Sequence, residues 1–419
     1  MSEWKKVKLG EISSTIQTGP FGSQLHQSDY SDIGVPVVMP KDIINGSIDE
    51  STIARVESHH VERLSRHKIS EGDILYARRG DVGKCAYTVF AQQGWLCGTG
   101  CLRVTIDKQK ALPKFVFYQL QKRETIGWVE KHAIGATMLN LNTPILSDVP
   151  IDLPSLTTQH HIATILSRYD SLIENYQKQI KLLEEAAQRL YKEWFVDLHF
   201  PGHENTKIVD GVPEGWEKKK IADVCDTVGG GTPSTKVVSY YEGGTINWVT
   251  PTDITKNNSL CLLSTEKKIT NEGLNHSSAK MLPKEAILMT SRASVGFFGI
   301  CDFEVCTNQG FISCVPFEKD FQMYLLYNLI NRVEEIRIKA GGSTYLEISK
   351  SVFRNFDIIC PAQSVIKKFQ GKAHCFLERT RIIAKQIRLL TEARDRLLPK
   401  LMNGEINVGE ERPERPKSA

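Results

Sequence analysis

None of the ten cysteines in the chain stands in a Cys-x-x-Cys pair. Cys97 with Cys101, and Cys301 with Cys306, lack the second pair that a structural zinc site requires. The pairs His59-His60 and His160-His161 are adjacent rather than four apart, so neither pair shares a helix face as metal ligands. Scattered cysteines of this kind suit reduced, mostly buried thiols. No apolar run reaches the roughly 18 residues of a membrane span, and Met1-Ser-Glu-Trp-Lys-Lys6 has no signal-peptide core. Together these absences predict a cytoplasmic protein without a resident metal.

Catalytic signatures are missing as well. Gly80-Asp-Val-Gly-Lys84 resembles the end of a phosphate loop, but Arg78 and Cys85 stand where Walker A needs Gly and Ser or Thr. A basic surface turn is the better account. No Asn-Pro-Pro-Tyr or Asp-Pro-Pro-Tyr box of adenine methyltransferases occurs, and Asp152-Leu-Pro-Ser155 reads as a helix-entry segment. Charge of one sign is scarce too: 53 Lys and Arg against 49 Asp and Glu leave +4, too little to mark a nucleic-acid binder.

What the chain does have is a repeat. Counting sevens from Leu166 gives Ile173, Ile180, Ala187 and Trp194; from Ile162, Tyr169, Tyr176, Leu183 and Leu190. With no Pro or Gly between Thr158 and Phe200, this predicts one long helix of about 40 residues, roughly 60 Å, carrying a heptad seam. A second seam runs through Phe369, Phe376, Ile383, Leu390 and Leu397, interleaved with Ala373, Thr380, Ile387, Arg394 and Leu401. Phe369 minus Ile162 is 207, and the same offset maps Pro154 onto Pro361 and Leu183 onto Leu390. Thr380 and Arg394 depart from the seam and are expected weak points. Between Lys367 and Lys400 ten Lys and Arg stand against three Asp and Glu, whereas Gln159 to Asp197 has five against six; the second helix is the basic one.

The repeat extends into the regions before the helices. Trp4-Lys-Lys-Val-Lys-Leu9 returns as Trp216-Glu-Lys-Lys-Lys-Ile221, Pro40-Lys-Asp-Ile43 as Pro251-Thr-Asp-Ile254, and Asp73-Ile-Leu-Tyr76 with Arg79 as Ala286-Ile-Leu-Met289 with Arg292. Short apolar runs such as Val35–Met39, Ile74–Ala77 and Leu102–Ile106 lie between Gly, Asn and Asp turns and read as strands. Amphipathic helices are expected at Pro113–His132 and Phe321–Ala340, and the long helices should start after Thr157/Thr158 and Ser364. The predicted class is α/β of the α+β kind. Two similar globular domains, 1–155 and 213–361, carry two long helices, 156–200 and 362–403, that pair as an antiparallel coiled coil with pseudo-two-fold symmetry. A linker covers 201–212, and the charged, Pro-rich 404–419 reads as a disordered tail.

Two similar heads on a stiff spacer suit a split DNA site, because B-DNA presents the same groove face every ~34–36 Å. The chain resembles the specificity subunits of type I restriction–modification enzymes over residues 1 to about 408. The resemblance is carried by Trp4-Lys-Lys-Val-Lys-Leu-Gly-Glu-Ile12, Thr18-Gly-Pro-Phe-Gly-Ser-Gln-Leu25, Gly229-Gly-Gly-Thr-Pro-Ser-Thr235, Asn247-Trp-Val-Thr-Pro-Thr-Asp-Ile254, Ser291-Arg-Ala-Ser-Val-Gly296 and Arg394-Asp-Arg-Leu-Leu-Pro-Lys-Leu-Met402. It implies two target-recognition domains reading double-stranded DNA with a bipartite, asymmetric target, and a helical ruler between them. It also implies two methyltransferase subunits and restriction subunits as partners. S-adenosylmethionine, ATP and magnesium would belong to those partners, with no cofactor and no enzymatic activity in this chain. A coiled-coil scaffold without a DNA role and a self-contained modification enzyme are the rival readings.

Arg and Lys suit phosphates and guanine, Asn and Gln suit adenine, and Ser and Thr contact either. Matched polar loops therefore supply the candidates: Arg78, Arg79 and Lys84 with Ser291, Arg292 and Ser294; Thr137, Asn140 and Asn142 with Ser343 and Thr344; Ser23 and Gln24 with Ser234, Thr235 and Lys236. Arg79 and Arg292 lead, because each follows a strand at a matched position.

Overall fold

The computed structural model describes residues 4–135, 139–342 and 345–408; most of the expected tail lies outside them. Two compact units divide the chain, Met1–Ser171 with Thr391–Ala419 and Leu172–Leu390. Both long helices therefore contribute residues to both units.

The first unit is built on an antiparallel sheet in the order Ser13–Thr18, Cys101–Ile106, Ile74–Ala77, Cys85–Tyr87. Ile74–Ala77 sits inside this sheet and is buried at all four positions, which explains its unbroken apolar run. A second sheet orders Leu96–Cys97, Val35–Val38, Ala54–Val56 and Tyr30–Ser31, with the first two strands parallel. Lys5–Lys8 pairs antiparallel with Pro150–Leu153, the strand that feeds the first long helix.

The second unit repeats this plan. Cys225–Gly229, Phe311–Pro316, Ile287–Thr290 and Phe298–Ile300 form the antiparallel sheet. Ile246–Val249 pairs parallel with Cys306–Thr307 and antiparallel with Lys267–Ile269, and Glu217–Lys220 pairs with Asp357–Cys360.

Both amphipathic helices are broken where continuous ones were expected. The first is Pro113–Leu120 followed by Arg123–His132, the second Gln322–Asn331 followed by Val333–Lys339. A basic residue at each break reaches the strand that precedes a long helix: buried Lys122 toward the Asp152 carboxylate (3.5 Å), and Arg332 to the Asp357 carbonyl (2.6 Å). Tertiary bonding here outweighs helix continuity.

The long helices span Leu156–Tyr191 and Gln363–Met402, each starting before the hydroxyl residues expected to cap it. Ser155, rather than Thr157 or Thr158, caps the first by accepting the Thr158 N–H (3.3 Å). One π turn, Lys192–Val196, follows the first helix before the chain reverses at Gly202, whose φ of +100° favours glycine. Leu166, Ile173, Ile180, Ala187 and Trp194 are buried throughout, whereas Tyr169, Tyr176, Leu183 and Leu190 are half-buried. On the second helix Phe369, Ala373, Thr380, Ile383 and Leu401 are buried, with Phe376, Ile387, Leu390, Arg394 and Leu397 half-buried.

Within the first unit Ile162, Ala163 and Leu166 share a core with Leu401 and Met402, and further along Asp170 meets Arg394 (2.9 Å); the pairing is antiparallel. The Tyr118 hydroxyl donates to the other Asp170 oxygen (2.5 Å), so the expected weak point at Arg394 carries an ion pair. Within the second unit Tyr191, Trp194 and Phe195 pack around the Phe369 ring, with centroids 6.1, 5.9 and 5.0 Å away. No helix among the described residues is long and apolar enough to cross a membrane.

Candidate nucleic-acid interface

Each unit gathers its matched polar loops into one cluster, closed by the same backbone bonds. In the first, the Arg78 N–H donates to the Gly100 carbonyl (2.7 Å) and the Leu141 N–H to the Arg78 carbonyl (2.8 Å). In the second, the Ser291 N–H donates to Gly310 (2.8 Å) and the Ile348 N–H to Ser291 (3.0 Å). Gly98 donates to Val38 (2.9 Å) as Asn308 does to Val249 (3.0 Å). The strand is left by the same left-handed step, Gly80 at φ +76° and Ala293 at φ +60°. Alanine holds that angle only under strain, so the cluster geometry is imposed by the surrounding bonds.

Antiparallel bridges then bring two distant loops together, Arg79 to Asn140 and Arg292 to Glu347. Buried Asp42 fixes the adjoining turn by accepting the Met39 N–H (2.8 Å), and burial raises its carboxyl above the ordinary range. Asp253 does the same for Thr250, through both its N–H and its hydroxyl (each 2.7 Å).

Arg79 and Arg292 are exposed in these clusters, as are Ser294 and Lys84, the latter ion-paired to Asp81 (2.9 Å). Arg78 lies half-buried with its guanidinium 5.9 Å from the Phe21 ring centre, which joins the 19–24 loop to the cluster. Ser23 is exposed, and Gln24 closes its own turn by accepting the Phe21 N–H (3.1 Å). Ser234, Thr235 and Lys236 are exposed.

Two candidates are already committed elsewhere. Asn142 caps Thr143–Ser147 by accepting the Ile145 N–H (2.9 Å), as Ser349 caps Lys350–Arg354 (3.3 Å). Ser291 is 3% exposed and cannot present its hydroxyl to a ligand. Thr137, Ser343 and Thr344 lie outside the described residues.

The structure adds residues that the sequence reading passed over. A depression of about 310 Å³ is lined by Pro251, Arg292, Asn308, Gln309 and Tyr345. The Thr232 hydroxyl donates to the Gln309 carboxamide, tying the 230–236 loop to this depression. A repeat of Gly98-Thr-Gly100 as Asn308-Gln-Gly310 was the available signal, but only strand pairing brings that turn beside Arg292. Among the described residues no cluster of three His, Cys, Asp or Glu is placed to hold a metal. Eight cysteines are buried, and burial pushes thiols such as Cys85 and Cys97 up to about 12.

The family described as "Type I restriction modification DNA specificity domain" matches residues 1–185 and 213–384. The type I restriction enzyme MjaIX specificity subunit of Methanocaldococcus jannaschii is 28% identical over 430 residues, spanning 97% of this chain and 94% of its own. The HindI specificity subunit of Haemophilus influenzae is 24% identical, spanning 97% of this chain and all of its own (100%). Among solved structures, the type I restriction–modification S subunit from M. genitalium covers 95% of this chain and 96% of its own, with a TM-score of 0.57 and 16% identity. That likeness is one of fold.

Proposed function

We infer function from the premise that this chain belongs to the type I restriction modification DNA specificity family. It is the DNA sequence-specificity subunit of a type I restriction–modification complex. Each recognition domain, 1–155 and 213–361, reads one half of an asymmetric bipartite target, and the paired long helices set the gap. The observation that carries this reading is the pair of loop clusters, closed by matched backbone bonds and different in exposed side chains. A shared scaffold with divergent side chains is what two independent readers of unequal half-sites require.

The chain is a recognition subunit, and its partners supply the chemistry. Two methyltransferase subunits would hold S-adenosylmethionine, and restriction subunits would use ATP and magnesium. A groove of about 620 Å³ in the second unit, lined by Leu182, Ala186, Leu190, Lys372, Cys375 and Phe376, supports docking of a methyltransferase on the helices. Leu182 lies 63% exposed and Leu389, at the matched position, 59%. Lys385 is a poorer probe of docking, because its ammonium already bonds Asp302 (2.7 Å). Leu182→Glu with Leu389→Glu should abolish complex assembly by gel filtration; full assembly would refute helix docking.

Methylome sequencing of cells expressing this chain with its cognate methyltransferase tests the function. A split, asymmetric methylated motif present only with the chain is expected. If the assembled complex yields no motif and prefers no duplex, the scaffold reading replaces this one.

A further inference from the structure

The position across the bridge from the arginine differs sharply between the two clusters. Asn140 faces Arg79, whereas Glu347 faces Arg292 and ion-pairs with it, Nε to Oε2 3.6 Å. Both members of the pair remain about half exposed, so the contact leaves acceptor and donor atoms free for a ligand. Beside them lies the depression holding Asn308, Gln309 and Tyr345.

A carboxylate on a DNA-facing loop repels phosphate unless a neighbouring cation or a donating base offsets it. The cytosine N4 amino group is the donor to which Asp and Glu are suited in the major groove, and arginine suits the O6 and N7 of the guanine paired to it. A rim ion pair of this exposure adds little stability, so folding alone gives weak reason for a glutamate here. The matched Asn140 carries no charge, and Arg79 across from it makes no such pair with that residue.

We propose that Glu347 and Arg292 together read one C·G base pair in the half-site bound by residues 213–361. The proposal rests on the DNA-recognition function above. Glu347 accepts from cytosine N4, and Arg292 orients that carboxylate while donating to the guanine edge. Backbone bonds between Gly341 and Glu347 (2.8 and 3.0 Å) fix the residue that presents the carboxylate.

The test measures binding of the assembled complex to duplexes carrying every single base-pair replacement across both half-sites. For the wild-type chain one C·G pair of that half-site is discriminated. Glu347→Gln lowers discrimination at that pair by roughly 5- to 150-fold, the range of one good base contact, and leaves the other half-site unchanged. Arg292→Lys relaxes the same pair, which keeps the proposal testable if the glutamine variant fails to fold. A uniform loss at all positions, unchanged discrimination, or a half-site without a C·G pair overturns the proposal while leaving the specificity function standing. A wild-type complex with no sequence preference overturns both.

Discussion

In the first loop cluster two arginines follow the strand, Arg78 against Phe21 and Arg79 across from neutral Asn140. In the second cluster the same two places hold buried Ser291 and an Arg292 half-neutralised by Glu347. The helices differ in the same way. Where Asp170 and Arg394 form an ion pair in the first unit, the offset of 207 (377 − 170, 394 − 187) places Leu377 and Ala187, both within the apolar core of the second. The backbone bonds that close the clusters are common to both halves, because strand pairing supplies their partners whatever the side chains are. Side chains were free to diverge wherever they faced solvent or a complementary neighbour.

That comparison can be broken most severely at the ruler. Inserting seven residues after Gln179 together with seven after Gln386 should widen the gap between half-sites by about 10 Å, roughly three base pairs, while both half-site sequences persist in the methylome. A changed half-site would mean that the heads are not independent.

The helix contact offers the next largest effect. Asp170→Leu should cost about 1–3 kcal/mol in denaturant unfolding, because it takes the acceptor from the Tyr118 hydroxyl and leaves the half-buried Arg394 with Asp395 alone (2.8 Å). Adding Arg394→Ala recreates the apolar pair of the other unit and should recover most of that loss. No recovery would show that the Tyr118 hydroxyl, also bonded to Asp170, carries the stability instead.

Salt dependence sharpens the difference between the arginines. Arg79→Ala should reduce the slope of log affinity against log salt by about 0.9, the effect of one phosphate contact. Arg292→Ala should change that slope by less than half as much, since Glu347 already balances its charge. Equal slopes would remove the asymmetry between the heads.

The smallest effect concerns pH. Burial holds the His67 imidazole below its ordinary 6.5, so the folded state binds fewer protons than the unfolded one. Its contribution is therefore present above pH 6.5 and is lost as pH falls through the lowered value. The matched residue is exposed Lys280, so the first unit carries a loss of stability below pH 6.5 that this position does not give the second. His67→Leu should flatten that difference in thermal melts.

Much of the architecture was legible because it depends on periodicity. Heptad spacing located both long helices and their buried series, and constant offset exposed the duplication. Boundaries were less legible. Lys122 and Arg332 break helices for the sake of bonds to residues 25 to 30 positions away, Asp152 and Asp357, which no local pattern announces. Within the candidate interface, strand-following arginines could be found by matching repeats. The commitment of Asn142 to a cap and the burial of Ser291 could not, since both depend on where neighbouring loops fold back.

By itself the sequence determined a duplicated α/β chain with two heptad seams, because hydrophobic period and repeat offset are properties of the residues alone. Tertiary structure alone decided which loops meet. Arg79 reaches Asn140, and Arg292 reaches Glu347, through bridges between segments 61 and 55 residues apart (140 − 79, 347 − 292). Closing loops of that length costs entropy that only the packed sheets and helix pair around them can offset.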